Sequence, residues 1–486
     1  MSFVVEFPLK TESWQRDILN KRFSIAEHMY NSLLNVTFKR YREMKSTKEY
    51  RNLVSLLSND KNSNKSIYRQ INDLRKRYGL SEYAFHSDIK YMQKHFKENI
   101  DSFTAQKIAT HLWKSYEKMF FSNGNHIHYK KKGSLKSVEG KSNRTGIIFK
   151  NDILYWKGLE MPVIIDYRNA YECESIMQHD ISYCRIIRRY GKRNIHFNVQ
   201  IIFKGTPPVK YDIQTGEVRH PLGNGDVGID IGTSTIAVTG EHECHMQELA
   251  EGIKNIEREV ALIQRKIERS RRAMNPDNYN EDGTIKKERK KWTFSKRYMK
   301  LLFRLRYLSQ KYAFIRKQKH ETLANKIISM GDTVYVENMD FKALTSRSKK
   351  TEVSEKTGRY KRKKRYGKSI GNRAPAMVLA IIDRKLHYHG KEIVEINTIK
   401  ARASQYNHIS NNYKKKSLSQ RWHEFDDGTR VQRDLYSSYL IMNTNNTHDG
   451  FDKEKCDKRF DEFIKNHNME IERLKTTTHV SSMGLN

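Results

Sequence analysis

The sequence predicts a multidomain α/β chain, with a sheet-based domain in its second half and a β domain interrupted by a helical lobe in its first. Three observations predict it. The stretch GIDIGTSTIAV, Gly228 to Val238, reads as a strand, a tight turn and a second strand. Apolar residues recur at helical spacing through the region before Phe121, then at period two from about Gly146 to Lys204. The formal charge is +36, from 92 Lys plus Arg against 56 Asp plus Glu.

In a strand, side chains alternate between faces, so Val227, Ile229 and Ile231 share one apolar face. Asp230 then lies on the other face, between Gly228 and Gly232. A carboxylate flanked by two residues without side chains leaves room for a metal ion or a phosphate oxygen. The plainer reading is an acidic turn residue. The turn Gly232 to Ser234 adds a phosphate-binding alternative, because sugar kinases and actin-like ATPases open on a similar D-x-G-T-S.

Composition narrows the partners. A charge of this size implies a polyanion, and nucleic acid is the expected one. The sequence has no run of about eighteen apolar residues and no signal segment, so a membrane is not expected. Cys173, Cys184, Cys244 and Cys456 form no C-x-x-C pair, which argues against a disulfide framework or a cysteine zinc ribbon. Aromatic residues at 11% suit stacking on bases.

Along the chain, Ser2 to Lys10 reads as a strand that completes a later sheet, which makes the helical zone an insertion. That zone breaks at Ser58 to Ser66, Leu80-Ser81 and Ile100-Asp101. Short β runs follow, with a hairpin expected at Gly191-Lys192 and a sheet or small barrel ending near Lys204. After the opening motif, Met246, Leu249, Ile253, Ile256, Val260, Ile263 and Ile267 form an apolar seam. Leu301, Leu305, Leu308, Tyr312 and Ile315 continue it on a returning helix, which predicts a helical hairpin over 246–330. A strand runs into Glu337. The basic segment Lys342 to Arg373 lacks apolar periodicity and is expected to be poorly ordered alone, a flap that closes on nucleic acid through Lys361, Arg362, Lys363, Lys364 and Arg365. A helix to Gly390, a strand within Lys391 to Ile399, an irregular segment and a helix from Val431 complete the domain, before a charged helical tail.

Asp230, Glu337 and Asp434 sit at three distinct structural positions, each inside an apolar run where an unpaired charge is costly. Ser437 and Ser438 share a helix face with Asp434, and their small size leaves space. Divalent metal resolves such a cost, since Mg²⁺ is held by carboxylates and phosphate oxygens. In this order GIDIGTSTIAV, VYVENMDFKAL and VQRDLYSSYLI resemble the three RuvC motifs of TnpB, the transposon-encoded (OrfB family) RNA-guided nucleases related to miniature type V CRISPR effectors. HGKEIVEINTIKARASQYNH resembles the approach to that family's zinc ribbon. The second half carries the resemblance, and the first half matches in layout only.

The resemblance implies an RNase H-like (RuvC) nuclease domain, a β-barrel wedge and an α-helical recognition lobe. It divides the chain into a wedge strand (1–10), recognition lobe (11–122), wedge barrel (123–222), nuclease domain (223–399, with the hairpin and the basic lid 342–373), zinc-ribbon-like insertion (400–430) and final helix with tail (431–486). It makes Asp230, Glu337 and Asp434 the catalytic, metal-binding triad for two Mg²⁺ ions, with Mn²⁺ as a substitute. It implies a guide RNA and a target double-stranded DNA as partners, a monomer or dimer on RNA, and a cytoplasmic, nucleoid-associated setting in a prokaryote. The sequence departs from the family where two C-x-x-C pairs are usual. Only His408 and His423 stand nearby, so no zinc is expected, these histidines are expected at the surface, and Tyr406, Trp422 and Phe425 fill the gap. The rival readings are a cleavage-deficient RNA-guided repressor, an actin-like or sugar-kinase ATPase, and a guide-independent junction resolvase. The ATPase needs a second Gly-rich loop, which VENMD does not supply.

Overall fold

The first strand, β1 (Ser2–Pro8), buries Phe3, Val5 and Phe7 and turns Val4 and Glu6 outward, as its alternation requires. In a computed structural model, which describes residues 1–58, 64–122, 124, 126–288, 291–347, 351–355, 358, 360, 366–417, 419–477 and 483–485, the chain divides into two units, Met1–Val209 and Lys210–Asn486. Each mixes helices and strands. Among the described residues no helix is long and apolar enough to cross a membrane.

In the first unit, β1 is followed by α1 (Ser13–Ser46), α2 (Lys48–Ser55), α3 (Lys65–Arg77), α4 (Glu82–His95) and α5 (Ser102–Phe121). Caps set several of these boundaries. Thr47, Ser81 and Asp101 each accept a backbone N–H of the helix they open. The buried stripe of α1 runs through Leu19, Phe23, Ala26, Met29, Leu33 and Leu34. Then come β2 (Ser137–Glu139), β3 (Ile147–Lys150), β4 (Ile153–Trp156), β5 (Leu159–Pro162), α6 (Ala170–Gln178), β6 (Ile181–Tyr190) and β7 (Ile195–Lys204). The helix α6 is not visible in the sequence periodicity.

β1 pairs antiparallel with β7, Ser2 opposite Lys204, in a sheet ordered β1-β7-β6-β2. The helices thus lie between strands of one sheet. The turn at Gly191 does close the β6–β7 hairpin. Where an antiparallel sheet or small barrel was expected, the strands form this sheet and a second one, β3-β4-β5. The two sheets meet at the bridge between Leu9 and Val163.

Buried acids fix this unit. Glu6 on β1 takes Arg189 of β6 and Asn198 and Gln200 of β7, which pins the strand register. Glu27 of α1 accepts three successive backbone N–H groups, from Gly133, Ser134 and Leu135. Glu139 on β2 ties α5 to the sheet, with Lys107 at 3.0 Å, His111 at 3.4 Å and Arg185 at 2.6 Å.

In the second unit, β8 (Asp226–Ile231), β9 (Thr235–Gly240) and β10 (Cys244–Glu248) form an antiparallel meander. Next come α7 (Lys254–Met274), α8 (Lys296–Met330), β11 (Thr333–Glu337), α9 (Phe341–Thr345), α10 (Gly367–Arg373), α11 (Pro375–His387) and β12 (Val394–Ile396). The short α12 (Thr398–Ala401), β13 (Tyr406–Asn407), β14 (Asn412–Tyr413), β15 (Trp422–Glu424) and β16 (Arg430–Gln432) lead to α13 (Arg433–Met442) and α14 (Lys453–Lys475). The sheet order is β10-β9-β8-β11-β12, with β8, β11 and β12 parallel. Val227, Ile229 and Ile231 pack on one face with Leu323 and Ile327 of α8 and Val378 and Ile382 of α11. The opposite face carries Leu435, Tyr439 and Leu440 of α13 and Phe463 of α14.

Two expectations change here. The helical hairpin starts at Lys254, not at residue 246. Met246 and Leu249 are three apart as a helix would have them, but they enter cores on opposite faces of the sheet, because Cys244–Glu248 pairs with β9. The segment 342–373 is not irregular throughout. Its last residues form α10, held by the Arg373–Glu248 ion pair and by Ser369 donating to the Thr233 carbonyl.

Glu139 yields a stability test. Burial alone would raise its carboxyl, but the bonds from His111 and Arg185 outweigh this and hold it below its ordinary 4.5. A lowered folded-state pKa gives stability that is complete above pH 4.5 and is lost as pH falls toward the lowered value. Glu139→Gln is expected to cost about 2–3 kcal/mol at neutral pH, since it leaves half-buried cations without their shared carboxylate. In denaturant melts the gap between wild type and variant should narrow below pH 4.5. A gap independent of pH would show that the charge plays no part.

Candidate active site

The sheet sets two carboxylates side by side. β8 and β11 run parallel with Val336 opposite Ile229, so one further residue brings Glu337 level with Asp230. Both then point to the face covered by α13. That helix lies against the sheet backbone at Gly228. A Cβ at position 228 would come 2.0 Å from the Ser438 carbonyl oxygen and 2.3 Å from the Met442 nitrogen. Asp434 lies one turn before Ser438, and the contact therefore carries it toward Asp230, two residues along β8.

The sequence reading of Gly228 is corrected by this contact. The missing side chain makes room for a helix, not for an ion. Ser438 likewise leaves no open space: its hydroxyl bonds Thr239 Oγ1 at 2.7 Å. Gly232 differs, because a Cβ there would meet only Thr235 atoms at 3.4 Å and beyond.

Asp230 feels the other two carboxylates. Burial raises the Asp230 carboxyl well above its usual range, and the charges of Asp434 and Glu337 raise it further, against the lowering effect of Arg433 and Ser437. Burial also raises Glu337, partly offset by the backbone N–H of Ala403. All three keep partial solvent access, with the Asp434 side chain 15% exposed.

Asp434 starts α13, where a carboxylate suits the positive end of the helix. The cap is Gln432, whose side-chain oxygen accepts the N–H groups of Asp434 at 2.7 Å and Leu435 at 2.8 Å. The Asp434 carboxylate faces two arginines. Arg433 donates from Nε at 3.2 Å and Nη2 at 3.1 Å, and Arg421 Nη1 lies 3.8 Å away. Arg433 is itself held by the Gln420 carbonyl oxygen at 3.1 Å. In this arrangement no three His, Cys, Asp or Glu side chains among the described residues converge closely enough to hold a metal ion. Ser437 was placed on the Asp434 face by sequence reasoning, whereas Arg421, Arg433 and Ala403 were missed. Only Arg433, adjacent to Asp434, carried a local signal. Lys361, Arg362, Lys363, Lys364 and Arg365 lie outside the described residues.

In the 400–430 segment His408 and His423 are buried, not on the surface as expected. Their rings join Phe425, Tyr436 and Phe460 in one aromatic cluster. Backbone pairing of β15 with β16 and the Tyr436 hydroxyl at 2.7 Å from His408 Nδ1 draw them inward. Burial pulls both imidazoles down to about 4, so they are neutral at physiological pH. Tyr406 and Phe425 are buried in the adjoining core, and Trp422 packs on it.

No family model matches the sequence, and no curated protein matches it. Among solved structures, a cryo-EM structure of the Cas12f1–sgRNA–target DNA complex is similar at 10% identity and a TM-score of 0.39, over 91% of this chain and 99% of that one. A CRISPR-Cas12f ternary complex is similar at 12% identity and a TM-score of 0.25, over 88% and 82%. Both likenesses are loose.

The helix contact predicts a contrast between two glycines. Gly228→Ala should destabilise the protein by at least about 3 kcal/mol, because backbone atoms on both sides must separate. Gly232→Ala should cost under about 1 kcal/mol. Thermal melts of the two variants give the comparison, and equal tolerance at both positions would show that α13 does not rest on Gly228.

Proposed function

We propose that this chain is an RNA-guided DNA endonuclease that binds a guide RNA and hydrolyses complementary double-stranded DNA in a RuvC-type site. One observation carries it: two adjacent parallel strands and the helix crossing them bring Asp230, Glu337 and Asp434 near enough that the charges of the latter two raise the Asp230 carboxyl. The sheet order, with an antiparallel meander on one side of β8 and parallel strands on the other, supports an RNase H-like domain. The net charge of +36 supports polyanionic partners.

The donor set suits Mg²⁺, with Mn²⁺ as a substitute. It is made of hard carboxylate oxygens, and the repulsion that Asp230 feels is what a divalent cation relieves. When bound, a pair of such ions stabilises the attacking and leaving oxygens of a phosphodiester. Asp230 and Glu337 supply the fixed side of the site. Ser437 lies beside Asp230, and the Ala403 amide orients Glu337. Asp434 would complete the set from beside Arg433, which is anchored to the Gln420 carbonyl.

For the 400–430 segment we propose no structural zinc. Its imidazoles are stacked in an aromatic cluster, with His408 Nδ1 on Tyr436 and His423 Nδ1 on Lys416. The thiol of Cys456, in the same core, is pushed up to about 12 by burial.

Asp230→Ala should abolish cleavage while leaving guided DNA binding within a few-fold, because affinity comes from phosphate contacts and base pairing. Cleavage by this variant in Mg²⁺ would sink the assignment, and an intact chain that binds guided DNA but never cuts would favour the repressor reading. Metal analysis of the purified protein should find well under one zinc per chain. One tightly held zinc would refute this and point to His408 and His423.

A further inference from the structure

The described residues of the link between α7 and α8, 275–288 and 291–295, take no part in the site described above. They form a built structure. Asn275 is buried and clasps Thr293 from both sides, donating from Nδ2 to the Thr293 carbonyl at 2.8 Å and accepting the Thr293 N–H at 2.7 Å. Asn278 holds the Lys291 carbonyl at 2.9 Å, and Tyr279 bridges Ile285. On this frame Arg271 covers the Trp292 ring at 5.2 Å and Arg272 covers Tyr279 at 5.0 Å. Phe294 stacks on Tyr298 with centroids 4.5 Å apart and planes 21° apart.

This ring pair is not core. Phe294 is 45% exposed, and Met274, Ile285 and Met299, in the link or at the helix ends that flank it, are also exposed. Apolar surface of this kind on a rigid support marks an interaction site. Its surroundings select the partner: Lys287, Lys291, Lys296, Arg297 and Lys300 are all exposed. The first turn of α8, capped by Ser295, adds the positive end of a helix. An accessible aromatic face amid cations is the arrangement on which unpaired bases stack while phosphates are neutralised. A duplex offers no free base face, so its backbone would use the cations and leave the rings idle.

We propose that the α7–α8 tip is a stacking platform for single-stranded nucleic acid, with Phe294 and Tyr298 receiving a base and Lys291, Lys296, Arg297 and Lys300 its flanking phosphates. The platform rests on the proposed nucleic-acid partner, but not on cleavage. Arg271 and Arg272 hold the neighbouring rings from behind and keep the tip in shape.

The test is photocrosslinking of the full-length Asp230→Ala protein to single-stranded oligonucleotides carrying 5-bromouracil, one arm DNA and one RNA, followed by peptide mapping. Adducts are expected on the 291–300 segment in at least one arm, and the arm identifies the strand type. Phe294→Ala with Tyr298→Ala should cut the yield there about tenfold, the scale of one lost base stack, and Phe294→Trp should retain it. Circular dichroism of the variants checks that the helices persist. The proposal is overturned if adducts form only elsewhere. It is also overturned if alanines at the four cations lower the yield while the ring substitutions do not, which would make the tip a backbone patch. Absent tip adducts beside intact wild-type cutting would sink the platform alone, and tip adducts in a protein that never cuts would sink the nuclease reading alone.

Discussion

The contact of α13 with Gly228 is the constraint on which the rest of the second unit depends. A helix can approach a strand this closely only where the strand has no Cβ. The approach is locked by the Ser438–Thr239 hydroxyl pair and by Leu435, Tyr436, Tyr439 and Leu440, all buried beneath the helix. Asp434 is therefore placed by the packing of its helix together with Arg433 and Arg421, and from there its charge raises the Asp230 carboxyl. Packing over a large apolar surface can hold like charges together, because their mutual cost is spread over a core that would be lost by separating them.

Buried carboxylates behave in opposite ways in the two units. In the first, Glu6 and Glu139 gather arginines and amides, and both are held below their ordinary range. Each works as a rivet between elements. In the second, Asp230 and Glu337 are raised, by burial foremost and for Asp230 also by other acids. A fold gains nothing in stability from that arrangement, which is why perturbed acids of this sign draw attention as functional groups. The same residue type thus serves as structure or as chemistry according to what surrounds it.

Much of this was legible in the sequence because alternation and helical spacing are local. Asp230, Glu337 and Asp434 could be singled out from the apolar runs that hold them, and β1 could be matched to a sheet far along the chain. Other features depend on contacts between distant segments and left no local trace. Gly228 looks like an opening until α13 is placed over it. Met246 and Leu249 look like one helical stripe until the sheet sends them to opposite faces. His408 and His423 look like polar surface residues until the aromatic cluster encloses them. Arg421 reaches Asp434 only through the pairing of β15 with β16.

The pairing of β1 with β7 bears on how the chain is made. During synthesis the first strand emerges from the ribosome long before Lys204, its partner's last residue, exists. Until then it is an unpaired apolar edge, Phe3, Val5 and Phe7 on one side, with all five helices of the lobe still to follow. The helices form from local contacts and can settle early, but the sheet must wait for a pairing of very high contact order. Once the lobe has folded, the chain that leaves α5 beside Tyr41 is led back along α1 by Asn31 and Glu27 to Leu135, and the loop to be closed is no longer a flexible coil. A nascent chain stalled before β7 would therefore carry a finished helical lobe and a sticky first strand, the state in which this protein is most exposed to aggregation and most in need of a chaperone.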